Sequence, residues 1–137
     1  MGSVDDIAYD ILTRFHVIAV VGCSRDVGKP SHDVPEYLQQ NRYKIVPVNP
    51  YADYILGEKA YPDLKSIEFP IEVVQVFRPA REVMDIAKQA LEVNAKALWL
   101  QEGIMSEEAE KFAKANGMLF VMNRCMMKEH YSYSIKA

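Results

Sequence analysis

Hydrophobic positions along the chain switch between helical spacing and short unbroken apolar runs. In residues 3–14 the apolar side chains recur every three or four positions, and Ser3 and Asp6 have the spacing of a capping box. This pattern predicts an N-terminal amphipathic helix. Residues 17–21 are all aliphatic and are followed by Gly22, as in a strand that is buried on both faces. We therefore expect a helix followed by the first strand of a parallel sheet.

The alternation of helices and strands continues almost to the end of the chain. Ser31 is expected to cap a second helix that ends near Asn41, and Gly117 to end the last predicted helix. Residues 51–70 have no sustained period and are predicted to be mostly loop, with one helical turn at 63–67. The remaining predicted elements are strands at 43–48, 72–77, 97–100 and 118–122 and helices that begin at Pro79 and Ser106.

Strands that alternate with helices predict an α/β fold, here in one domain over residues 1–137. The expected architecture is Rossmann-like and doubly wound, with a five-stranded, mostly parallel sheet, helices on both of its faces and the extra N-terminal helix. Right-handed crossovers leave two strand orders, 3-2-1-4-5 and the flavodoxin-like 2-1-3-4-5, of which we expect the first. Either order places a ligand site outside the carboxyl ends of the strands.

Composition narrows the classes of function. The chain has 137 residues, 50% of them hydrophobic and 26% charged, and a formal net charge of −3. No overall field attracts nucleic acid, so an anionic ligand needs local cations. The aliphatic run 17–21 is far shorter than the roughly 18 apolar residues that cross a bilayer, and the N-terminus lacks the features of a secretory signal. We expect a cytoplasmic protein without a membrane or nucleic-acid partner, and the sequence leaves open a homo-oligomer or a partner enzyme.

The loop after the first predicted strand is the strongest local signal for a ligand. Backbone N–H groups and a helix N-terminus attract phosphate at such a position. The loop is not a Walker A motif, because five residues separate Gly22 from Gly28 and Pro30 stands where the Mg²⁺-binding hydroxyl belongs. A nucleoside triphosphatase is therefore not expected.

The same loop departs from the dinucleotide-binding fingerprint. Ser24 occupies the position of the middle glycine of G-x-G-x-x-G, and the second predicted strand ends in Asn49-Pro50 instead of an acid that would hold an NAD ribose. What the loop offers is the Ser24 hydroxyl and two cations, Arg25 and Lys29, which suit a ligand with more phosphate than a bare diphosphate. The alternative interpretation is a solvated loop whose charges have no ligand.

Several residues are of types that often serve in catalysis, but the sequence does not place beside them the second residue that a mechanism or a metal site would need. Cys125 and Cys23 are expected to be buried structural thiols, although His130 follows Cys125 by five residues. His32 is expected on the surface. Glu102 has no second acid to complete a general acid–base mechanism. The cysteines and histidines lack the spacing of a zinc site, so no metal is predicted.

Five segments, taken in order, resemble the small stand-alone CoA-binding domain proteins. The similarity runs through most of residues 15–130 and extends to the CoA-binding domain of the succinyl-CoA synthetase alpha subunit, in which a Glu-Gly-Ile turn and an Asn-Cys element follow the fourth and fifth strands. Their order and spacing carry the resemblance, since no single motif is specific. The segments are residues 17–22 with Ser24 and Gly28, Asn49-Pro50, Phe77-Arg78-Pro79, Gln101-Glu102-Gly103-Ile104, and Asn123-Arg124-Cys125-Met126 with His130.

The resemblance implies a Rossmann-like fold that holds CoA, with the diphosphate near the first loop and the adenine and pantetheine across the strand ends. CoA also has a 3′-phosphate, and Arg25, Lys29 and Arg78 are expected to meet these anions. Phe77 or Tyr51 is expected to cover an adenine face. The cofactor-binding residues expected on this basis are Gly22, Ser24, Arg25, Gly28, Lys29, Asn49, Pro50, Phe77, Arg78, Pro79 and Glu102.

The resemblance and the incomplete catalytic set predict non-catalytic binding of coenzyme A or an acyl-CoA, as a carrier, a sensor or a partner subunit. The phosphohistidine and nucleotide-grasp parts of the synthetase do not fit in 137 residues, so ligase activity does not transfer. Two alternatives stay open. One is an NAD(P)-dependent oxidoreductase or a redox-sensing nucleotide-binding protein, in which Arg25 takes a 2′-phosphate. The other is an interaction module that has lost its ligand and assembles through its N-terminal helix.

Overall fold

The computed structural model of the protein describes residues 3–133. Along the chain, two 3₁₀ turns flank the strand at the centre of the sheet: Leu64–Ser66 precedes it and Ala80–Glu82 follows it. The α-helices are α1 (Val4–Arg14), α2 (Pro30–Gln40), α3 (Val83–Glu92), α4 (Glu107–Ala115) and α5 (Met126–Ser132). The strands are β1 (Val17–Val21), β2 (Lys44–Val48), β3 (Tyr54–Ile55), β4 (Glu58–Lys59), β5 (Val73–Val76), β6 (Ala97–Leu100) and β7 (Leu119–Val121).

Five of these strands form one parallel sheet in the order β2-β1-β5-β6-β7, and β3 pairs with β4 in a separate antiparallel hairpin. The Rossmann-like α/β fold expected from the sequence is confirmed. The strand order is not the expected 3-2-1-4-5. Numbered along the chain, the sheet strands follow the flavodoxin-like order 2-1-3-4-5, so the preferred order was wrong.

Pro47 supplies a physical reason for this order. It lies inside β2, and its carbonyl oxygen accepts a hydrogen bond of 2.9 Å from the N–H of Tyr61, on the side away from β1. The N and C=O of one strand residue point to the same side, so the proline nitrogen also faces outward. Proline cannot donate to a ladder and is confined to edge strands. The order 3-2-1-4-5 would flank β2 on both sides, whereas the observed order leaves it at the edge.

Helices cover both faces of the sheet, as expected. One core layer joins α1, α2 and α5 to the sheet through residues such as Ile11, Leu38 and Met126. The other joins α3 and α4, with Val83 and Ala109 fully buried. Among residues 3–133 no helix combines the length and apolar character needed to span a bilayer.

Local signals predicted most helix ends. The capping box at α1 is confirmed, since Ser3 Oγ accepts from the Asp6 N–H at 3.1 Å and the Asp6 carboxylate accepts from the Ser3 N–H at 3.3 Å. The Ser106 cap of α4 is confirmed as well. The Ser31 cap of α2 is wrong, because Pro30 takes the first helical position, where its missing N–H costs nothing. The β3–β4 hairpin and helix α5 were not predicted.

Candidate functional site

Four connections meet at the carboxyl edge of the sheet because the strands that precede them are parallel. Residues 22–29, called the first loop from here on, follow β1, and residues 49–51 follow β2. Residues 77–79 follow β5, and residues 101–103 follow β6. In the observed order β1 and β5 are neighbours, so the first loop lies directly beside residues 77–79.

Gly22 allows the close approach of these two connections. Its φ is +88°, and a Cβ at this position would lie 2.9 Å from Arg78 Cδ and 3.0 Å from the carbonyl oxygen of Phe77. A side chain is therefore excluded both by the left-handed backbone and by a backbone neighbour that cannot turn away. The first loop and Arg78 share one surface as a result.

Asn49 ties the end of β2 to the first loop. Its Nδ2 donates to the carbonyl oxygen of Cys23 at 2.9 Å, and its Oδ1 accepts from the N–H of Tyr51 at 2.8 Å. Both polar atoms of the side chain are therefore used inside the protein. Asn49 positions its neighbours, and the exposed Pro50 and Tyr51 follow it on the rim of the site.

Arg25, Tyr51 and Arg78 form an exposed surface that we call the cationic ridge. Arg25 Nη1 lies 3.5 Å from the carbonyl oxygen of Tyr51, whose side chain is 85% exposed. Arg78 forms two hydrogen bonds with Glu82, of 3.0 and 2.8 Å, and this pairing raises the pKa of its guanidinium. The ridge therefore presents positive charge beside an open aromatic face.

The three cations expected to meet phosphate differ in their partners. Lys29 pairs with Asp26 at 3.1 Å, and Arg78 pairs with Glu82. Within residues 3–133, Arg25 has no carboxylate in ion-pair range. An anionic ligand must therefore compete with a carboxylate at two of the three positions.

The first loop also bonds part of its backbone internally. Ser24 donates its N–H to the carbonyl oxygen of Ser31 at 2.9 Å, and this carbonyl is free because Pro35, four residues later, has no N–H for the helical bond. The Ser24 hydroxyl accepts from the N–H of Asp26 at 3.0 Å. Pro35, buried in α2, thus helps to hold the first loop.

The carboxylate of Asp33 lies at the start of α2, where phosphate was expected. It accepts from His32 Nδ1 at 2.9 Å and from the N–H of Gly28 at 3.1 Å, and these two hydrogen bonds lower its pKa. His32 is 6% exposed, so its expected surface position is wrong. The N–H groups of Val27 and Ser31 have no hydrogen-bond partner within residues 3–133.

A cleft of about 330 Å³ opens between α2 and α5 at the same sheet edge. Its walls come from the first loop, the start of α2, the ends of β5 and β6, and α5. Of the expected cofactor-binding residues it brings together three, Gly28, Phe77 and Glu102. Its lining is Gly28, Pro30, Asp33, Val34, Phe77, Gln101, Glu102, Cys125, Met127 and Lys128.

The other expected residues lie outside the cleft lining. Arg25 and Arg78 belong to the cationic ridge, and Gly22 packs against Arg78. Asn49 donates a hydrogen bond to the first loop and so positions the residues that follow β2. Cleft and ridge adjoin through residues 77–78, since Phe77 lines the cleft while Arg78 belongs to the ridge. The remaining expected residues outside the lining are Ser24, Lys29, Pro50 and Pro79.

Glu102 and Lys128 face each other across the cleft. Their side chains approach to 3.1 Å, are more than half exposed, and the contact raises the pKa of Lys128. Both cysteines are buried, as expected. Cys125 is 6% exposed on the cleft wall, whereas Cys23 is fully enclosed and burial raises the pKa of its thiol to about 12.

Helix α5 contributes the wall that the sequence analysis missed. His130 anchors it: the side chain is 2% exposed, and its Nδ1 lies 2.9 Å from the hydroxyl of Tyr37 in α2. Burial lowers the pKa of His130. The apolar positions Met126 and Met127, followed by His130, form one short helical stripe, and this was the available signal for α5.

Comparison with known proteins assigns the chain to a family. A family model described as a CoA binding domain matches residues 16–131. The uncharacterized protein YneT of Bacillus subtilis is 40% identical over 121 residues, which are 88% of this chain and 90% of that protein. A hypothetical protein from Pyrococcus horikoshii OT3 has the same fold, with a TM-score of 0.90, 38% identity and coverage of 96% of this chain and 92% of that one.

A longer enzyme contains a related segment. Acetate–CoA ligase (ADP-forming) II of Archaeoglobus fulgidus is 36% identical over 99 residues, which are 71% of this chain but 15% of the ligase. A dinucleotide-forming acetyl-coenzyme A synthetase 1 of Ca. Korarchaeum cryptofilum, solved with phosphate and ADP, has a TM-score of 0.71 and 26% identity, covering 83% of this chain and 27% of the synthetase. This chain therefore corresponds to one part of such enzymes.

Proposed function

The chain belongs to the CoA-binding domain family, and from this premise we propose that it binds coenzyme A or an acyl-CoA as a non-catalytic carrier, sensor or partner subunit. The observation that carries the proposal is the junction of the cationic ridge and the cleft at one sheet edge, inside the matched residues 16–131. CoA has an anionic nucleotide at one end and a long, uncharged pantetheine arm at the other. The two surfaces offer the chemistry that each end needs.

In this arrangement the nucleotide lies on the ridge. Arg25, Lys29 and Arg78 meet its phosphates, and Tyr51 offers an open face to the adenine. Gly22 and Asn49 hold the ridge in shape. Ser24, Pro50 and Pro79 complete its rim, while the arm passes Gly28, Phe77 and Glu102 in the cleft.

The arrangement supports CoA over a nicotinamide dinucleotide. An NAD ribose is usually held by an acid at the end of the second strand. Here that position is Asn49, whose side chain is engaged by Cys23 and Tyr51. No specific observation favours the oxidoreductase interpretation.

Three features support binding without catalysis. Of the two acids on the cleft wall, Glu102 is in an ion pair with Lys128, and Asp33 accepts hydrogen bonds from His32 and from the N–H of Gly28. The raised pKa of Cys23 keeps that thiol protonated at neutral pH, and thiols react as thiolates. His130 is outside the cleft lining and packs against Tyr37.

Titration calorimetry with CoA, dephospho-CoA and NADPH tests the proposal. We expect CoA to bind, and dephospho-CoA to bind about tenfold more weakly, because it lacks the 3′-phosphate that a cation on the ridge would meet. Equal affinity for the two would contradict the assignment of the cations. Tight NADPH binding without competition from CoA would replace the proposal with the oxidoreductase alternative.

A second measurement addresses catalysis. The protein is incubated with acetyl-CoA and water, and free thiol is followed with a thiol reagent. We expect no thiol release above the rate of a protein-free control. Release that scales with protein concentration would show a thioesterase and would contradict a purely binding role.

A further inference from the structure

Gln101 directly follows β6, and all but one of its polar groups have hydrogen-bond partners. Its backbone N–H donates to the carbonyl oxygen of Val76 at 3.1 Å, and its carbonyl oxygen accepts from the N–H of Ile104 at 3.0 Å. Its side-chain Oε1 accepts twice, from the N–H of Met126 at 3.0 Å and from Nε2 of Gln75 at 3.2 Å. The side-chain Nε2 is the one polar group left over.

The identity of that group follows from its neighbours. The backbone N–H of Met126 can only donate, so the Gln101 atom that faces it must be the oxygen, and the other atom must be the NH₂ group. This NH₂ has no hydrogen-bond partner within residues 3–133. Gln101 is 3% exposed and lines the cleft, so its small accessible surface belongs to the cleft wall.

The neighbouring Gln75 shows the contrast. Its Oε1 also lacks a partner, but the residue is 0% exposed and is not part of the cleft lining. The two amides form one buried pair, with one unpaired group each. Only the unpaired group of Gln101 borders space that a ligand can enter.

We propose that the Gln101 side-chain amide donates a hydrogen bond to a carbonyl oxygen on the arm of bound CoA or acyl-CoA. This inference rests on the proposed function. The arm carries two amide carbonyls, and an acyl-CoA adds the thioester carbonyl. Val34, Phe77 and Met127 supply apolar wall around the same space, so a carbonyl that leaves water there needs a donor. Gln101 is that donor and positions the arm next to Cys125.

The first experiment uses the wild-type protein labelled with ¹⁵N and follows the side-chain NH₂ signals of glutamine by NMR. The Gln101 pair is assigned in the wild-type protein, labelled additionally with ¹³C, by correlating the side-chain NH₂ with the backbone signals of Gln101. We expect this pair to shift on addition of CoA and to stay in place on addition of adenosine 3′-phosphate 5′-diphosphate, which carries the nucleotide without the arm. The Gln75 pair serves as the internal reference.

The second experiment compares two substitutions. Gln101→Glu keeps an oxygen for the N–H of Met126 but replaces the donor with an acceptor, and we expect it to weaken CoA binding at pH 8 by about tenfold or more. Gln75→Met removes the other amide of the same pair without changing the cleft lining, and we expect a change below about twofold. If Gln101→Glu does not fold, the NMR titration of the wild-type protein decides alone.

The outcomes separate this inference from the proposed function. A wild-type protein that binds no CoA overturns the proposed function. A protein that binds CoA and acetyl-CoA without any shift of the Gln101 signals overturns the inference alone. A shift with CoA places the acceptor on the part of the arm that CoA and acetyl-CoA share, and a shift with acetyl-CoA only places it at the thioester. An equal shift with the armless nucleotide also overturns the inference.

Discussion

The cationic ridge and the cleft adjoin at one sheet edge but are built in different ways. The ridge consists of exposed side chains on connections that directly follow β1, β2 and β5, and its charges are visible in the sequence. The cleft is enclosed by residues from the first loop, α2, β5, β6 and α5. The charged side chains at a strand end can therefore be predicted from the neighbouring sequence. The cleft cannot, because it forms only where segments far apart in the chain pack together.

The largest expected effect is on the floor of the ridge. Gly22→Ala places a Cβ 2.9 Å from Arg78 Cδ and 3.0 Å from a backbone oxygen, at a φ of +88°. We expect the free energy of unfolding to fall by about 2–4 kcal/mol, from the left-handed backbone and the crowding together. Urea unfolding measures it. Gly28→Ala, with φ +99° and nothing within 4 Å, is the matched control and should cost about 1–2 kcal/mol. Equal costs would contradict the close approach.

The next effect concerns the charges of the ridge and first loop. Replacing Arg25 and Lys29 together by Gln should weaken CoA binding by about 1.5–3 kcal/mol in total, the contribution of one charged hydrogen bond, because Lys29 is already paired with Asp26. Adenosine 3′-phosphate 5′-diphosphate should lose as much, because it carries the same phosphates. Calorimetry on both ligands measures the loss. Lys111→Gln with Lys114→Gln, on α4 at the opposite face, removes the same charge and should leave both affinities unchanged. A similar loss in this control would point to a nonspecific effect of net charge.

Filling the cleft should separate the two regions. Met127→Trp adds bulk to the cleft wall, and we expect CoA binding to weaken by about tenfold, or 1.4 kcal/mol, while the armless nucleotide binds as before. Met105→Trp, at an exposed loop position outside the lining, is the control. Equal losses for both ligands would mean that the two surfaces do not act on different ends of the molecule.

The smallest effect is the pH dependence of protein stability through His130, which anchors helix α5 but lies outside the cleft lining. Burial lowers the pKa of His130 from its ordinary 6.5, so the unfolded chain takes up this proton more readily than the folded protein. Stability is therefore complete above that value and falls as the pH drops below it, by at most about 1.4 kcal/mol per pH unit, until the folded protein also takes up the proton.

Thermal unfolding between about pH 7 and pH 5 checks this dependence. The lowered pKa of Asp33 and of Glu82 places their own contributions below this range. His130→Phe should flatten the curve, while His16→Asn, at an exposed position, should keep its slope. An unchanged slope in His130→Phe would show that another group is responsible.

Local patterns predicted the elements but not all of their neighbours. The caps at Ser3 and Ser106 depend on atoms three residues away, and both were read correctly. The strand order was not, although Pro47 marked β2 as an edge strand. His32 was expected on the surface because a position near the start of a helix does not show which face of that helix will be buried.

The candidate site divides in the same way. The placement of Arg25 and Arg78 at one sheet edge followed from the parallel sheet, but their position on neighbouring connections came only from the observed strand order, in which β1 and β5 are adjacent. Gln101 belonged to a segment that carries the family resemblance but, like Lys128, was not among the expected cofactor-binding residues. The partners of these two side chains, Met126 and Glu102, lie 25 and 26 residues away along the chain. Helix α5 was overlooked because its apolar stripe is short.

By itself, the sequence determined the alternation of strands and helices, the glycine that the first turn requires and the local cations at the sheet edge. These features depend on backbone sterics and on neighbours within one helical turn. Only the tertiary structure decided the strand order, the carboxylate of Asp33 on the first loop, the burial of His32 and the cleft with its unpaired Gln101 amide. Each of these arises from contacts between segments far apart in the chain, which are set by the packing of the whole core and not by local pattern.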